Sequence, residues 1–357
     1  MLAACGLDRL VGDPRWCPHP VVLMGWLISR LRRLAEAWAG ETPWMLRLAG
    51  GWIALLLLAA SGLAGWGLEQ LVRDLARRSP LAAGLGLAAL TIALASALAG
   101  RSLEQAVREV LEAIPPTSPP HALPDSVQAV QNHEAPNTAA PESLMAARQA
   151  LAWIVGRDTD HLTGNEILRA AAETASENAV DGLFAPLFWM LVGAGLWSLN
   201  PSLPGPLALA WGFKAASTLD SMLGYRKGKL RWLGTAGARL DDLLVWLPCR
   251  LVAFSLPLAA GQPGRCWPLL LLALREGAAD PSPNAGVSQA AYGHAARVQL
   301  GGSNSYGGLV RDKPLLAADQ PAANRAGVCR ILKLSRHLAL IWLAGAGMLA
   351  FITKTLS

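Results

Sequence analysis

The residues able to do chemistry in this chain are gathered into four polar islands separated by apolar blocks. The first, Gly12-Asp13-Pro14-Arg15-Trp16-Cys17-Pro18-His19-Pro20, uses three prolines and a glycine to fix a non-helical turn that presents Asp13, Arg15 and His19. The turn stands directly before an apolar helix. A plain helix-entry turn fits the spacing equally well. The second island holds Arg157, then Glu173, Glu177, Asn178 and Asp181. The three acids recur every fourth residue, so on a helix they share one face, where like charges repel unless a cation stands between them. A hard divalent ion such as Mg²⁺ prefers such oxygen ligands. The stripe ends where an apolar block begins, which favours a metal or phosphate role over a solvated acidic face. The third island contributes Lys214, Asp220, Tyr225, Arg226, Arg239, the pair Asp241-Asp242, and Arg250. Its cations suit phosphate or carboxylate groups, and the aspartate pair is a second candidate metal site. A loop laced with ion pairs accounts for Lys227, Lys229 and Arg231 without function. The fourth island is Asp280-Pro281-Ser282-Pro283-Asn284, followed by a glycine-rich stretch, residues 301–308, that contains Tyr306. Paired glycines let backbone N–H groups approach an anion, but no Walker A pattern is present, and loop flexibility is the commoner explanation.

The elements that carry these islands are read from composition. Of 357 residues, 53% are hydrophobic and 16% charged, a balance that excludes disorder over most of the length and argues against an ordinary soluble enzyme. Residues 48–68 and 79–100 carry no charge over 21 and 22 positions. Each is long enough to cross a bilayer as a helix, and the ten residues between them read as a polar turn. Residues 182–213 form a third charge-free block, broken at 200–206 by three prolines and a glycine into one helix and a shorter, half-spanning or re-entrant one. Residues 251–264, 266–274 and 338–353 are shorter apolar runs, giving four to six membrane helices in all. Several of the 14 tryptophans stand near block ends, as an interfacial belt requires.

The net charge of +6 suits an anionic membrane surface or anionic substrates. Nucleic acid is excluded as a partner because no zinc finger, basic zipper or RNA-binding signature accompanies it. Five scattered cysteines give neither a disulfide framework nor a zinc-ligand spacing. Asp8 and Arg9 interrupt the N-terminus where a cleaved signal needs its apolar core. Residues 115–141 are rich in Pro, Ala and Ser and read as a linker, with His121 and His133 solvated.

The expected fold is therefore all-α: a polytopic membrane helical bundle with polar active-site loops. It divides into an N-terminal motif segment (1–47), a transmembrane hairpin (48–100), polar helices with the Pro-rich insertion and acidic motif (101–181), membrane helices carrying the charged loop (182–274), and the PSPNAG and glycine loop with a C-terminal membrane helix (275–357).

Taken in order, LDRLVGDPRWCPHPVVLMG, IVGRDT, ETASENAVDGLFAPLFW, KAASTLDSMLGYR, ARLDDLLVWLPCRL, PSPNAG and LGGSNSYGG resemble the adenosylcobinamide-phosphate synthases, the CbiB/CobD proteins of cobalamin biosynthesis. Residues 115–141 look like an insertion in that pattern. The resemblance implies a multi-pass enzyme of the inner or plasma membrane with a cytoplasmic site. It implies a ligase that joins a carboxylate arm of adenosylcobyric acid to aminopropanol, or its phosphate, through an amide bond. ATP as co-substrate and Mg²⁺ come with that implication, and the corrinoid is substrate rather than cofactor. Other corrin-pathway enzymes are candidate partners. In that light Asp13, His19, Lys214 and Asp220 are candidate catalytic groups, and Glu173, Glu177, Asp181, Asp241 and Asp242 candidate metal ligands. Arg15, Arg157, Asn178, Tyr225, Arg226, Arg239, Arg250, Asn284 and Tyr306 are candidate substrate- or phosphate-binding groups. Two other readings compete: a non-catalytic sensor on the same scaffold, and a transporter built on the broken block at 182–213. Retention of carboxylates and cations together in all four islands favours the enzyme.

Overall fold

The computed structural model describes residues 1–12, 19–115, 141–225 and 227–356. Its helices, in chain order, are α1 (Leu2–Val11), α2 (Pro20–Ala39), α3 (Pro43–Arg78), α4 (Pro80–Ala95), α5 (Gly100–Ala113), α6 (Met145–Ala152), α7 (Gly164–Ala179), α8 (Ala185–Leu199), α9 (Pro206–Leu223), α10 (Leu230–Leu233), α11 (Thr235–Ala259), α12 (Cys266–Gly277), α13 (Ala285–Ala296) and α14 (Arg325–Leu356). A two-stranded antiparallel hairpin, β1 (Leu300–Tyr306) and β2 (Leu309–Leu316), stands before α14. The bundle is thus almost entirely helical, as the composition requires.

Among the described residues, four stretches are long and apolar enough to cross a membrane: Pro43–Arg78, Gly164–Leu199, Thr235–Ala259 and Arg325–Ile352. The pair α4 and α5, bent by 42°, makes a fifth if read as one broken span. The chain is a multi-pass membrane protein by this measure. Two expectations are corrected in detail. The ten residues after position 68 are not a turn: α3 continues through them to Arg78, and the reversal is confined to Ser79. The glycine-rich stretch at 301–308 is not a loose loop but the β-hairpin.

Helix α3 shows why this packing works. Leu46, Ala49, Ile53, Leu57, Ser61, Gly65 and Glu69 are buried at three- and four-residue intervals, one continuous seam. Trp52, Leu55, Leu56 and Leu63 lie on the other side and are exposed, a face suited to lipid rather than water. The seam narrows toward small side chains. At Gly65 a Cβ would stand 2.8 Å from the Ala208 Cα, so α3 and α9 meet backbone to backbone.

Helices in apolar surroundings must satisfy their own polar groups, and every break has to be repaired. Between α7 and α8 the chain widens into one π turn, Val180–Phe184. Pro186 lacks the N–H that would reach back to the Gly182 carbonyl, and that carbonyl instead accepts from Ala99 N at 2.8 Å, in the break between α4 and α5. Pro248, inside α11, likewise cannot serve the Leu244 carbonyl, which accepts from Trp189 Nε1 at 3.1 Å. The free N–H groups at the start of α9 fall to Glu69. Its carboxylate, wholly buried, accepts from Gly205 N at 2.9 Å, Leu207 N at 2.6 Å and Ala208 N at 3.3 Å. A negative charge at a helix N-terminus also opposes the helix dipole favourably.

Replacing this cap should therefore be costly. Glu69→Ala leaves three backbone donors unpaired and should destabilise by about 1–3 kcal/mol or more. A drop in the melting temperature of the detergent-solubilised protein reports it, with Glu69→Gln intermediate. An unchanged melting temperature for Glu69→Ala would show that the cap is dispensable.

Candidate functional site

The acidic motif begins on α7. Thr163 starts this helix with a reciprocal cap: Glu166 N donates to Thr163 Oγ1, and Thr163 N donates to Glu166 Oε2 at 2.8 Å. One turn before the π segment stands Glu177, and Asp181 lies within it. A π turn shifts the side chains that follow it around the axis, and such turns recur at functional sites. Here Glu177 and Asp181 line one cavity of about 380 Å³.

The other walls come from four separate segments. Helix α9 supplies Asp220, α11 supplies Asp241 and Asp242, the loop before α13 supplies Asp280, Ser282 and Asn284, and strand β2 supplies Arg311 and Lys313. Six carboxylates thus share the cavity with two cations of the same wall among the described residues. Lys214 lies one and a half turns before Asp220 on α9, and its charge reaches Asp181 and Asp241. Burial, and then the charge of Asp242, push the Asp220 carboxyl above its ordinary range. The Asp241 Oδ1 atom is buried without a hydrogen-bond partner among the described residues.

The loop 280–284 is held by its own short bonds. Ser282 N donates to Asp280 Oδ1 at 2.9 Å, and Ser282 Oγ accepts from Ala285 N at 3.2 Å at the start of α13. Asn284 Nδ2 donates to the Asp242 carbonyl at 2.8 Å, and Arg250 donates from Nη1 to Asn284 Oδ1 and from Nη2 to the Pro283 carbonyl at 2.7 Å. Arg250 also stacks 4.7 Å above the Trp246 ring. It fastens the loop to α11. Lys313 Nζ pairs with Asp280 Oδ2 at 2.9 Å. Burial alone would lower the Lys313 pKa, but the bond to Asp280 and the charges of Asp280 and Glu177 outweigh it and raise the ammonium above its usual range.

The hairpin that delivers Arg311 and Lys313 is clasped from behind. Its turn is Gly307-Gly308, both with positive φ (59° and 77°), the backbone that a two-residue hairpin turn demands. At the other end Gly301 and Gly302 (φ 86° and 91°) sit at a register shift, where Arg169 packs against them. Arg169 donates to the Gly301 carbonyl at 2.6 Å and the Ser303 carbonyl at 2.7 Å. Glu173 accepts from Gly301 N at 2.8 Å and pairs with Arg157, which also donates to Asn304 Oδ1 at 2.6 Å. Asp158 accepts from Ser305 Oγ, Gly307 N and Gly308 N at 2.7, 2.9 and 2.8 Å. The N–H of Gly308, the Ser305 hydroxyl and the N–H of Gly307 hold the Asp158 carboxyl below its ordinary range.

The expected site residues therefore separate. Glu177, Asp181, Asp220, Asp241, Asp242 and Asn284 meet at the cavity. Glu173 and Arg157 face the hairpin and pair with each other, so the acidic stripe of α7 splits between two tasks. Asn178, Arg239 and Tyr225 are exposed, and Tyr306 lies 5.8 Å beneath the Arg311 guanidinium at the hairpin tip. His19 starts α2, its Nδ1 accepting from Val21 N at 3.3 Å. Asp13, Arg15 and Arg226 lie outside the described residues. Sequence reasoning passed over Asp280, Arg311 and Lys313 as site residues. The available signal was the Arg311-Asp312-Lys313 alternation, which follows the Gly307-Gly308 pair after two intervening residues and on a strand puts both cations on one side.

No three His, Cys, Asp or Glu groups among the described residues stand close enough to clasp a metal unaided. Mg²⁺ commonly takes only one or two protein carboxylates and completes its shell with water and substrate phosphates, and the unpartnered Asp241 Oδ1 in an acidic cavity fits that habit.

The sequence matches the family model described as CobD/Cbib protein over residues 1–122 and 122–335. The chain belongs to the CobD/CbiB family. Among CobD/CbiB relatives, the cobalamin biosynthesis protein CobD of Synechocystis sp. is 37% identical over 338 residues, 94% of this chain and 86% of that one. The cobalamin biosynthesis protein CbiB of Salmonella typhimurium is 33% identical, covering 97% and 93% of the two chains, and the CobD protein of Pelobacter propionicus 35%, covering 98% and 95%. No solved structure matches the chain significantly.

The Asp158 clasp makes a prediction about pH. A carboxyl with a depressed folded-state pKa adds stability that is present above its unfolded value and lost as pH falls through the folded one. Amide exchange at Gly307 and Gly308, corrected for intrinsic rates, should stay slow at neutral pH and accelerate only below the ordinary aspartate range. Asp158→Asn should accelerate it already at neutral pH. Equal protection in both proteins at neutral pH would remove the clasp from the account.

Proposed function

We propose that this chain serves cobalamin biosynthesis by joining a carboxylate arm of adenosylcobyric acid to aminopropanol, or its phosphate, in an ATP-dependent amide synthesis. Family membership and the names of its relatives support the pathway. The observation that supports the chemistry is the convergence of six carboxylates and a cationic strand on one cavity at the edge of the membrane-spanning helices. The cavity, about 380 Å³, lies at the small end for ligand sites. It suits the reacting ends, a small amine and one carboxylate arm, with the macrocycle held outside.

Amide formation from a carboxylate requires an activated acyl group, commonly an acyl phosphate. The amine nitrogen then bonds to the acyl carbon, phosphate departs with the oxygen it carries, and the amine gives up a proton. One or two of Glu177, Asp181, Asp241 and Asp242 would hold Mg²⁺, with water and a substrate phosphate completing its shell. Bound there, the ion would offset the negative charge of the transferring phosphoryl group. Asp220, whose carboxyl is shifted toward neutral pH, is placed to accept the amine proton. Lys214 brings a positive charge within reach of Asp181 and Asp241 and offsets part of their mutual repulsion. With a nucleotide as co-substrate, the working face is the cytoplasmic side of the inner membrane.

The test is a direct one. Protein purified in detergent, given adenosylcobyric acid, aminopropanol phosphate, ATP and Mg²⁺, should yield the amide, detected by mass spectrometry. No product alongside an active control would reject the reaction. Separately, Glu177→Gln and Asp181→Asn should each lower turnover by about a hundredfold or more while membrane insertion persists. Near-normal rates in both would reject the metal assignment.

A further inference from the structure

Strand β2 carries a pair of cations whose task the acidic cavity does not explain. Arg311 and Lys313 lie two residues apart, and both line the cavity opposite the carboxylates of α7, α9 and α11. Asp312, between them, turns the other way and accepts from Ser303 Oγ at 2.5 Å. The strand is fixed by a framework that touches only its partner strand and the turn: Arg169, Glu173, Arg157 and Asp158 bind β1 residues and Gly307-Gly308. The cations themselves are left to the cavity. Lys313 is paired with Asp280, whose side chain is 3% exposed, and Arg311, an exposed residue of the cavity lining, rests over the Tyr306 ring.

We infer that Arg311 and Lys313 form the phosphoryl-binding wall of this site, taking a phosphate of a substrate between them. The inference rests on the amide-synthesis reading for the identity of the substrates, and on the geometry alone for the class of ligand. Residues two apart on a strand leave one face about 7 Å apart at the backbone, so the guanidinium and the ammonium can reach one tetrahedral oxyanion, the first by forked hydrogen bonds and the second as a point charge. The facing carboxylates would repel such an anion, so it can enter only against this wall or together with a cation. The Lys313 ammonium has three donors, so it can keep its bond to Asp280, whose buried charge stays paired, and take a phosphate oxygen as well. Two sources offer this chemistry, the nucleotide and the phosphorylated amine.

The experiment measures binding and rate on the full-length protein in detergent. Isothermal titration with ATP, and separately with aminopropanol phosphate, is run on wild type, Arg311→Gln, Lys313→Met and the charge-keeping Lys313→Arg. Loss of a charged hydrogen bond should weaken the phosphorylated ligand by about tenfold or more, with Lys313→Arg largely restored. Weakening of ATP alone assigns the wall to the nucleotide, and weakening of the phosphorylated amine alone assigns it to the amine. In turnover, KM should rise for that same substrate and stay level for unphosphorylated aminopropanol. Unchanged affinity for both ligands in folded Arg311→Gln and Lys313→Met, or a loss confined to the corrinoid carboxylate, would overturn the inference. Should Lys313→Met melt below working temperature, Arg311→Gln and Lys313→Arg decide alone. Absence of turnover in wild type, with the binding pattern intact, would reject the amide-synthesis reading and leave the phosphoryl wall standing.

Discussion

The structure depends on a rule of the dry interior: a polar group taken out of water must find a partner within the protein. In this chain the rule governs how helices are broken. Pro186 frees a carbonyl of the π turn, and the N–H of Ala99 answers it from the break between α4 and α5. Pro248 frees a carbonyl of α11, and the Trp189 indole on α8 answers it. The N–H groups at the start of α9 are answered by Glu69 from the C-terminal half of the 36-residue α3. Each repair adds a polar tie between two separate elements of the bundle. Because the partners are fixed, so are the directions of α7, α9 and α11, the three helices that carry most of the acidic groups.

Charge follows the same logic with larger energies. Six carboxylates on one cavity are a poor arrangement for stability, since each raises the cost of ionising the next. Proteins keep such clusters where a ligand relieves them, and the cavity borders a strand with two cations and lies within reach of Lys214. The clusters that serve structure look different. Around Arg157, Glu173 and Asn304 the opposite charges are matched and hydrogen-bonded, and the result is a rigid backing for the hairpin. Neighbouring residues of one helix, Glu173 and Glu177, thus belong to two systems, one that holds the hairpin still and one that faces the cavity.

Much of this was legible in the sequence, in proportion to how local the causes are. Charge-free runs gave the apolar parts of α3, α8 and α14, and the proline cluster at 200–206 gave the gap between α8 and α9; the run at 79–100 proved to be α4, a span only together with α5, and the span of α11 was missed because Arg239, Asp241, Asp242 and Arg250 interrupt it. The i, i+4 acids gave Glu177 and Asp181, and Asp241-Asp242 gave the facing wall. Glu173 was read with them because the spacing is helical, but spacing does not report that Arg157, sixteen residues earlier, occupies its carboxylate. The ten residues after position 68 looked like a turn because they are charged. Yet charged residues extend a helix readily once it leaves the apolar layer, and Glu69 has its task inside the bundle. The hairpin was hidden for a similar reason. Its glycines suggest looseness when read alone, whereas Asp158, Arg169 and Glu173 supply the order from 128 to 149 residues away.

The central claim is spatial: the acidic groups of α7, α9 and α11 face one cavity, closed on its open side by the hairpin. A cryo-electron microscopy map of the full chain in lipid nanodiscs tests it most directly. The account predicts side-chain density for Glu177, Asp181, Asp220, Asp241 and Asp242 around a single solvent-filled space, with β2 forming its far wall. Density that sets these carboxylates on separate surfaces, or the hairpin away from them, would contradict it.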